Sequence, residues 1–388
     1  MSRFYSYLNS ASNIIDLYKG EMPFAIFLKQ YFAKEKKFGS KDRKQISALC
    51  YNYFRVVNAL NVVEKEEQFL IASFLCESTP NPILAFLKPE FNDSIEQSLS
   101  QKIDFLGDKV EVNKLFPLVD FVSDKLDKKS FSESITIQPD LFIRLRPKTS
   151  QKVIEALSEA QIQFQKINET TLALPNASKL PEALIADKDY SVQDASSQQV
   201  GLILKSYLTN LNSQSKVWDC CAASGGKSIM MHDLGFNYQL FVSDIRESIL
   251  TNLSNRFQIA GITKYAKFIA DLTSLNNKTP VSKFDVIIAD VPCSGSGTWG
   301  RTPEQLSYFK PSDLEVYSNR QLKIVENLGQ FLDRNGILVY ITCSVFEVEN
   351  ENIVSHICQN GFELIHSEYI LGYKHKADSM FLSILKKK

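Results

Sequence analysis

The chain has seven cysteines in 388 residues but no Cys-x-x-Cys pair, and it has only four histidines, His232, His356, His366 and His375. None of these stands at zinc-ligand spacing, so a zinc centre is a poor reading. An odd number of scattered cysteines in a chain too long to need staples reads as free thiols in a reducing compartment. No histidine lies near a strand end or a known signature, which leaves a cysteine protease without its base. No run approaches the ~18 apolar residues that cross a bilayer. The opening Met1-Ser2-Arg3-Phe4-Tyr5-Ser6 lacks a secretory apolar core. Net charge is zero, 44 basic against 44 acidic residues, which argues against a uniformly cationic polymer-binding surface but not against a local one. The expectation is a cytoplasmic protein with no metal and no membrane partner, its oligomeric state left open with a monomer favoured.

What is present is ordinary globular material, 44% hydrophobic and 23% charged, in a length that allows two or three domains. Residues 1–60 carry ten Lys or Arg against four Asp or Glu, a local excess of six positive charges. That excess fits phosphate contacts, and fits equally a solvated face. Residues 1–125 look helical: Ile46, Leu49, Cys50, Tyr53 and Phe54 fall on one helix face, with Gly39-Ser40 offering an N-cap. Residues 135–191 mix strand patterns, Leu141 to Arg146 and Thr170 to Leu174, with a helix pattern from Ser150 to Ala160. From 192 to 388 strands and helices alternate, with strands expected at Val217–Cys220, Leu240–Ser243, Phe268–Ala270, Val286–Ala289 and Ile337–Ile341 and a helix from Ser312 to Leu332. That alternation is the signature of a parallel, doubly wound sheet.

Between the first strand and a helix lies Asp219-Cys220-Cys221-Ala222-Ala223-Ser224-Gly225-Gly226-Lys227-Ser228. The two glycines permit a turn that side chains would block, and the following helix offers unpaired N–H groups. A phosphate loop fails on spacing, since Cys221 stands where its first glycine belongs, and no Gly-x-Gly-x-x-Gly is present. Three acids follow the next strands. Asp244 lies 18 residues after Gly226, near the ~20-residue offset at which an acid meets ribose hydroxyls. Asp271 and Asp290 follow the third and fourth strands. Strand ends of a parallel sheet share one rim, so the three carboxylates converge on one crevice, although each alone could be a helix cap.

Two cysteines reach the same rim, in Asp290-Val291-Pro292-Cys293-Ser294-Gly295 and in Ile341-Thr342-Cys343-Ser344. Thiols on loops held by a sheet suit covalent chemistry, and spacing alone does not say which would attack. Cys50, Cys76, Cys220 and Cys358 read as small buried hydrophobes. The loop Gly295 to Arg301 carries Trp299, which could stack on an extruded nucleotide or equally face the core.

The three segments together resemble the RsmB/Sun-type RNA cytosine-5 methyltransferases, strongly over Asp194 to Lys386. The resemblance implies an α/β fold: a C-terminal Rossmann-like methyltransferase domain (192–388), a helical NusB-like N-terminal domain that binds RNA (1–125) and a small α/β linker domain that contacts RNA (135–191). It implies S-adenosyl-L-methionine as cofactor, with Cys221, Ala222, Ala223, Ser224, Gly225, Gly226 and Lys227 against its methionine part. Asp244 would meet the ribose and Asp271 the adenine, with Asp290 between cofactor and base. It assigns nucleophilic attack to Cys343 and product release to Cys293. The partner implied is RNA, ribosomal RNA first and transfer RNA second. A non-catalytic RNA-binding assembly factor on the same fold is disfavoured, because a scaffold needs neither thiol. Phe38 to Ile46 is similar to the "LGSRDRR" segment of the NusB-like domain. Two departures stand out: Ser224 replaces the family's usual proline, which should loosen the turn, and Arg144-Leu145-Arg146 replaces Arg-Val-Asn.

Overall fold

Residues 3–274 and 283–388 are described by the computed structural model; Met1 and Ser2 of the opening segment lie outside them. The chain divides into two compact units, residues 1–138 with 298–311, and residues 139–297 with 312–388. The small sheet expected as a separate linker therefore clusters with the larger one, and the end of the Gly295–Arg301 loop clusters with the helices. Among the described residues no helix is long and apolar enough to cross a membrane.

In the first unit the apolar stripe at helical spacing becomes the buried face of helix Ser40–Val56, which sinks Ile46, Leu49, Cys50 and Phe54. Helices Arg3–Leu17, Phe24–Lys34 and Lys65–Cys76 close around it. Tyr18, Phe24 and Phe54 meet edge to face, with ring centroids 4.9 to 5.9 Å apart, the geometry that aromatic quadrupoles prefer. Gly39 occupies the N-cap position, but the bond is made by Asp42, whose carboxylate accepts the Gly39 N–H at 2.9 Å and also the Tyr7 hydroxyl. Arg43 donates to the Phe38 carbonyl at 2.9 Å. Two of the charges in this segment therefore hold the local fold together.

Trp299 is a core residue, 1% exposed and packed on Phe116 and Phe309 at 5.6 and 5.0 Å between ring centroids. The stacking role offered for it is thereby excluded. Arg55, equally buried, donates to the carbonyls of Ile135 and Gly300 at 2.7 Å each and to the Gln138 side chain at 2.8 Å.

The second unit contains two sheets. Strands β1 (Leu141–Leu145), β2 (Gln165–Lys166), β3 (Thr171–Leu174) and β4 (Tyr190–Val192) form an antiparallel sheet in the order β2-β3-β1-β4. Arg144 and Arg146 on and beside β1 are buried. Both pair with Asp233 at the end of helix Gly226–Asp233, the Arg146 Nε at 2.8 Å, and Arg146 also caps the Ala260 carbonyl at 3.0 Å. They anchor the small sheet to the larger one.

The larger sheet contains β5 (Lys216–Asp219), β6 (Gln239–Asp244), β7 (Tyr265–Ile269), β8 (Phe284–Asp290), β9 (Leu332–Thr342), β10 (Phe362–Ile370) and β11 (Met380–Lys387), ordered β10-β11-β9-β8-β5-β6-β7. Strands β5 to β9 run parallel, whereas β11 is antiparallel to β9 and β10 to β11, so the sheet is mixed and not wholly parallel. Neighbouring residues alternate between its faces. Trp218, Ile287, Leu338 and Tyr340 enter one core, and Val217, Val286, Ile288 and Val339 the other. Burial on both faces explains why these strands read as unbroken apolar runs. The helix after Pro311 ends at Leu328, four residues short of the expected end, and Leu332 already begins β9.

Replacing Arg55 by methionine strands several buried acceptors, so the helical unit should lose about 3 kcal/mol of stability, the scale of unsatisfied buried polar groups. Thermal unfolding of Arg55→Met followed by circular dichroism measures this. An unchanged melting curve would show that water substitutes for the guanidinium.

Candidate active site

Parallel pairing aligns the strand ends: Asp219 lies opposite Val242, Asp244 opposite Ile269, and Asp290 opposite Ile341. Everything that follows these positions leaves from one rim. The turn after β5 demands glycine at one place. Gly225 has φ +85°, and a Cβ there would meet Phe257 at 2.6 Å, whereas Gly226 is open and begins the helix. Ser224 does not loosen the turn as expected, because Arg256 donates to its carbonyl at 3.0 Å and its hydroxyl at 2.8 Å. Arg256 is itself held by Asp187 through two bonds of 2.7 and 2.9 Å.

A cavity of about 680 Å³ opens on this rim. Among its walls are Cys221, Ala223, Asp244, Asp271, Asp290, Cys293 and Cys343. Ala222, Ser224, Gly226 and Lys227 line a smaller adjoining hollow, together with Cys221, Ala223 and Asp290; Gly225 lines neither. Asp244 is 7% exposed and accepts the Ala223 N–H at 3.1 Å and the Arg246 N–H at 3.0 Å. Asp271 accepts the N–H and hydroxyl of Thr273 at 2.9 and 2.6 Å, and the hydroxyl bond first among several holds its carboxyl below the usual range. Lys227 is nearly buried and bonds to Asp290. Burial opposes its charge, but Asp290 and then the neighbouring Cys343 sulfur outweigh it and strengthen the ammonium form.

The two thiols meet. Cys293 Sγ and Cys343 Sγ are 3.4 Å apart, within reach of a sulfur hydrogen bond. That bond, then burial, then the charge of Cys343 and last that of Glu349 push the Cys293 thiol well above its ordinary pKa. Gly297 locks the loop from behind. Its N–H donates to the Cys343 carbonyl at 2.9 Å, and a Cβ there would lie 2.1 Å from the Ser379 carbonyl oxygen.

Residues 206–381 match the model of the 16S rRNA methyltransferase RsmB/F family. That match covers a little under half of the chain. Over 296 residues the chain is 27% identical to the probable ribosomal RNA small subunit methyltransferase B of Synechocystis, a stretch covering 68% of this chain and 64% of that relative. The chain thus spans a little under two thirds of its relative's length. Among solved structures it resembles that of PH0851, with a TM-score of 0.71 and 17% identity over 97% of each chain. It also resembles NSun6 from Pyrococcus horikoshii with SFG, with a TM-score of 0.59 and 15% identity over 70% of this chain and 97% of that one. At these identities the likeness is one of fold.

Several wall residues escaped the sequence reading. Ile245, Leu272 and Ile324 give the cavity its apolar side, and Arg246 and Arg320 line it as well. An apolar residue directly after the strand-end acid was a usable signal for Ile245; Ile324 and Arg320 come from a helix far along the chain and left none. Glu349 is the larger omission. It sits in Glu347-Val348-Glu349-Asn350-Glu351, where pattern alone does not single out the one buried acid.

Asp219 ends β5 beneath the hollow, 1% exposed, accepting the Ser228 hydroxyl at 2.6 Å. Its second oxygen has no partner. Burial, opposed by that hydroxyl and reinforced by the charge of Asp290, pushes its carboxyl up to about 7. The folded state therefore holds this proton more tightly than the unfolded chain, whose carboxyl titrates near 3.8. Its stabilising contribution is full below that value and is lost as pH rises through about 7. Asp219→Asn, which keeps an acceptor for Ser228, should gain melting temperature relative to the parent as pH rises from about 5 to about 8. Melting curves across that range that stay parallel would show that Asp219 is ionised in the folded protein.

Proposed function

We propose that this protein transfers a methyl group from S-adenosylmethionine to C5 of a cytosine in RNA, ribosomal RNA being the substrate, through a covalent cysteine adduct. The observation that carries the reading is the 3.4 Å approach of Cys293 and Cys343 at one end of a cavity whose other walls carry Asp244 and Asp271. The RsmB/F match over residues 206–381 supports the RNA substrate.

The donor set suits the cofactor. A buried carboxylate on the rim, Asp244, has the chemistry to accept ribose hydroxyls. Ile245, Leu272 and Ile324 offer the apolar surface an adenine needs, with Asp271 at its edge. The turn from Cys221 through Ala222, Ala223, Ser224, Gly225 and Gly226 to Lys227 is the place for the methionine part. When bound, S-adenosylmethionine supplies an electrophilic methyl group.

Cytosine C5 is too weak a nucleophile to take that methyl unaided. Addition of the Cys343 thiolate at C6 forms an S–C6 bond and breaks the C5–C6 double bond, leaving C5 enamine-like. Asp290, in contact with Lys227, hydrogen-bonds the cytosine edge and steadies the protonated adduct. After methylation solvent water takes the C5 proton; the electron pair of the C5–H bond re-forms the double bond and expels the Cys343 thiolate. Cys293 assists this release. In the reading proposed here the helical segment 1–125, as a NusB-like domain, and the small α/β segment 135–191 contact the RNA.

Asp244→Ala should weaken S-adenosylmethionine binding by about 2–3 kcal/mol, the scale of charge-assisted hydrogen bonds. Calorimetric titration measures it, and unchanged affinity in a folded variant removes Asp244 from the site.

Cys343→Ala should abolish both methylation and covalent capture of 16S rRNA. Cys293→Ala should still attack and methylate, then accumulate as a protein–RNA complex that survives a denaturing gel. Capture by Cys343→Ala alone would reverse the roles. Capture by neither variant, with methylation intact, would end the covalent mechanism.

A further inference from the structure

Glu349 is fully buried, and its carboxylate gathers four neutral donors from three places in the fold. The Ser294 N–H donates to Oε1 at 2.8 Å and the Gln321 side-chain amide to the same oxygen at 2.9 Å. The hydroxyls of Ser294 and Ser344 both donate to Oε2. Ser294 directly follows Cys293, and Ser344 directly follows Cys343. Gln321 also donates to the carbonyl of Pro292, directly before Cys293, at 3.0 Å. One carboxylate therefore ties together the two loops that carry the thiols.

We propose that Glu349 is the positioning residue of the cysteine pair: it holds the two loops at their 3.4 Å approach, and its carboxylate disfavours a negative charge on Cys293, which leaves nucleophilic attack to Cys343. This rests on the two-cysteine reading above and deepens it. An acid in the interior destabilises a second negative charge beside it, and Glu349 is the acid whose charge bears on Cys293. The other ionisable groups facing Cys293 are Cys343 and the phenols of Tyr317 and Tyr340. Cys343 has the opposite surroundings, with the Lys227 ammonium as its neighbour and Asp290 held on that ammonium. On this proposal the asymmetry sets a division of labour that sequence spacing leaves open.

The test reads the thiols directly, without RNA or cofactor. The folded protein is alkylated with iodoacetamide from about pH 6 to about pH 9, and labelling at each cysteine is followed by peptide mass spectrometry. In the parent protein Cys343 should be alkylated faster than Cys293; the reverse order overturns the proposal without any variant. Glu349→Gln keeps the shape and removes the charge, so Cys293 labelling at pH 8 should rise about tenfold, the factor that one pKa unit makes in thiolate fraction. Cys343 labelling should stay within about twofold. Ser294→Ala removes one donor but no charge, and its Cys293 labelling should stay near the parent's. A rise in Ser294→Ala equal to that in Glu349→Gln would show that packing and not charge is responsible, and no rise in a folded Glu349→Gln would overturn the proposal. Capture of 5-azacytidine-containing RNA is scored separately. Its absence in the parent would overturn the methyltransferase reading while leaving the thiol result to stand on its own.

Discussion

The pairing of β8 with β9 is the constraint on which the site depends. With Asp290 opposite Ile341, and the Val291 N–H donating to the Ile341 carbonyl at 3.1 Å, the two chains leave the sheet side by side. The residues that come next are Pro292, Cys293 and Ser294 on one strand and Thr342, Cys343 and Ser344 on the other. Side chains in a strand alternate with period two, so a slip of one residue would exchange the faces of Ile287 and Ile288 and turn the thiols apart. Both faces of β8 are buried in separate cores, which makes such a slip very costly. The thiol contact is in that sense inherited from hydrophobic burial several residues away.

Around that contact the protein satisfies its ionisable groups in three ways. Lys227 and Asp290 neutralise one another, the usual solution for opposite charges away from water. Among the described residues Glu349 has no cation partner and relies on four donors, which together supply what hydration would. Asp219 has one donor and one empty oxygen, too little to hold a charge, so the proton becomes its partner. The three cases follow one rule: the fewer the donors, the more the carboxyl must retain its proton.

The parts of this arrangement that were legible in the sequence are those that periodicity or local chemistry writes directly. Apolar runs marked β5, β6, β8 and β9, because a strand buried on both faces needs them. The acids at the ends of β6, β7 and β8, and the cysteines after β8 and β9, were located by the strands that precede them, and all of them line the cavity. The antiparallel edge was not legible. Strand β10, Phe362–Ile370, is largely exposed or half-buried and carries Glu363, His366 and Glu368, so its composition resembles a loop. The role of Arg144 and Arg146 was not legible because their partner, Asp233, lies about ninety residues away. Trp299 stood in a glycine-rich loop, and only packing against Phe116 reveals it as core. Partners distant in sequence leave no mark on local pattern.

Ser224 illustrates how a change in one residue type is absorbed by others. A proline in the turn would restrict φ and lower the entropy of the unfolded chain, stiffening the turn before it forms. Serine gives up that restriction but adds an acceptor, and the acceptor is used: Arg256 bonds its hydroxyl and its carbonyl together. The guanidinium does this from a fixed position, since Asp187 grips its other edge and is in turn bonded by Ser191 at 3.1 Å. Rigidity supplied by a ring has been replaced by rigidity supplied by a planar fork between two anchored oxygen groups. The cofactor turn is thereby coupled to the small sheet, because Asp187 and Ser191 belong to the segment that leads into and forms β4. A proline at this position would keep the carbonyl bond but lose the hydroxyl one, so in this chain the turn is tied more firmly to a subdomain that is outside the Rossmann-like sheet.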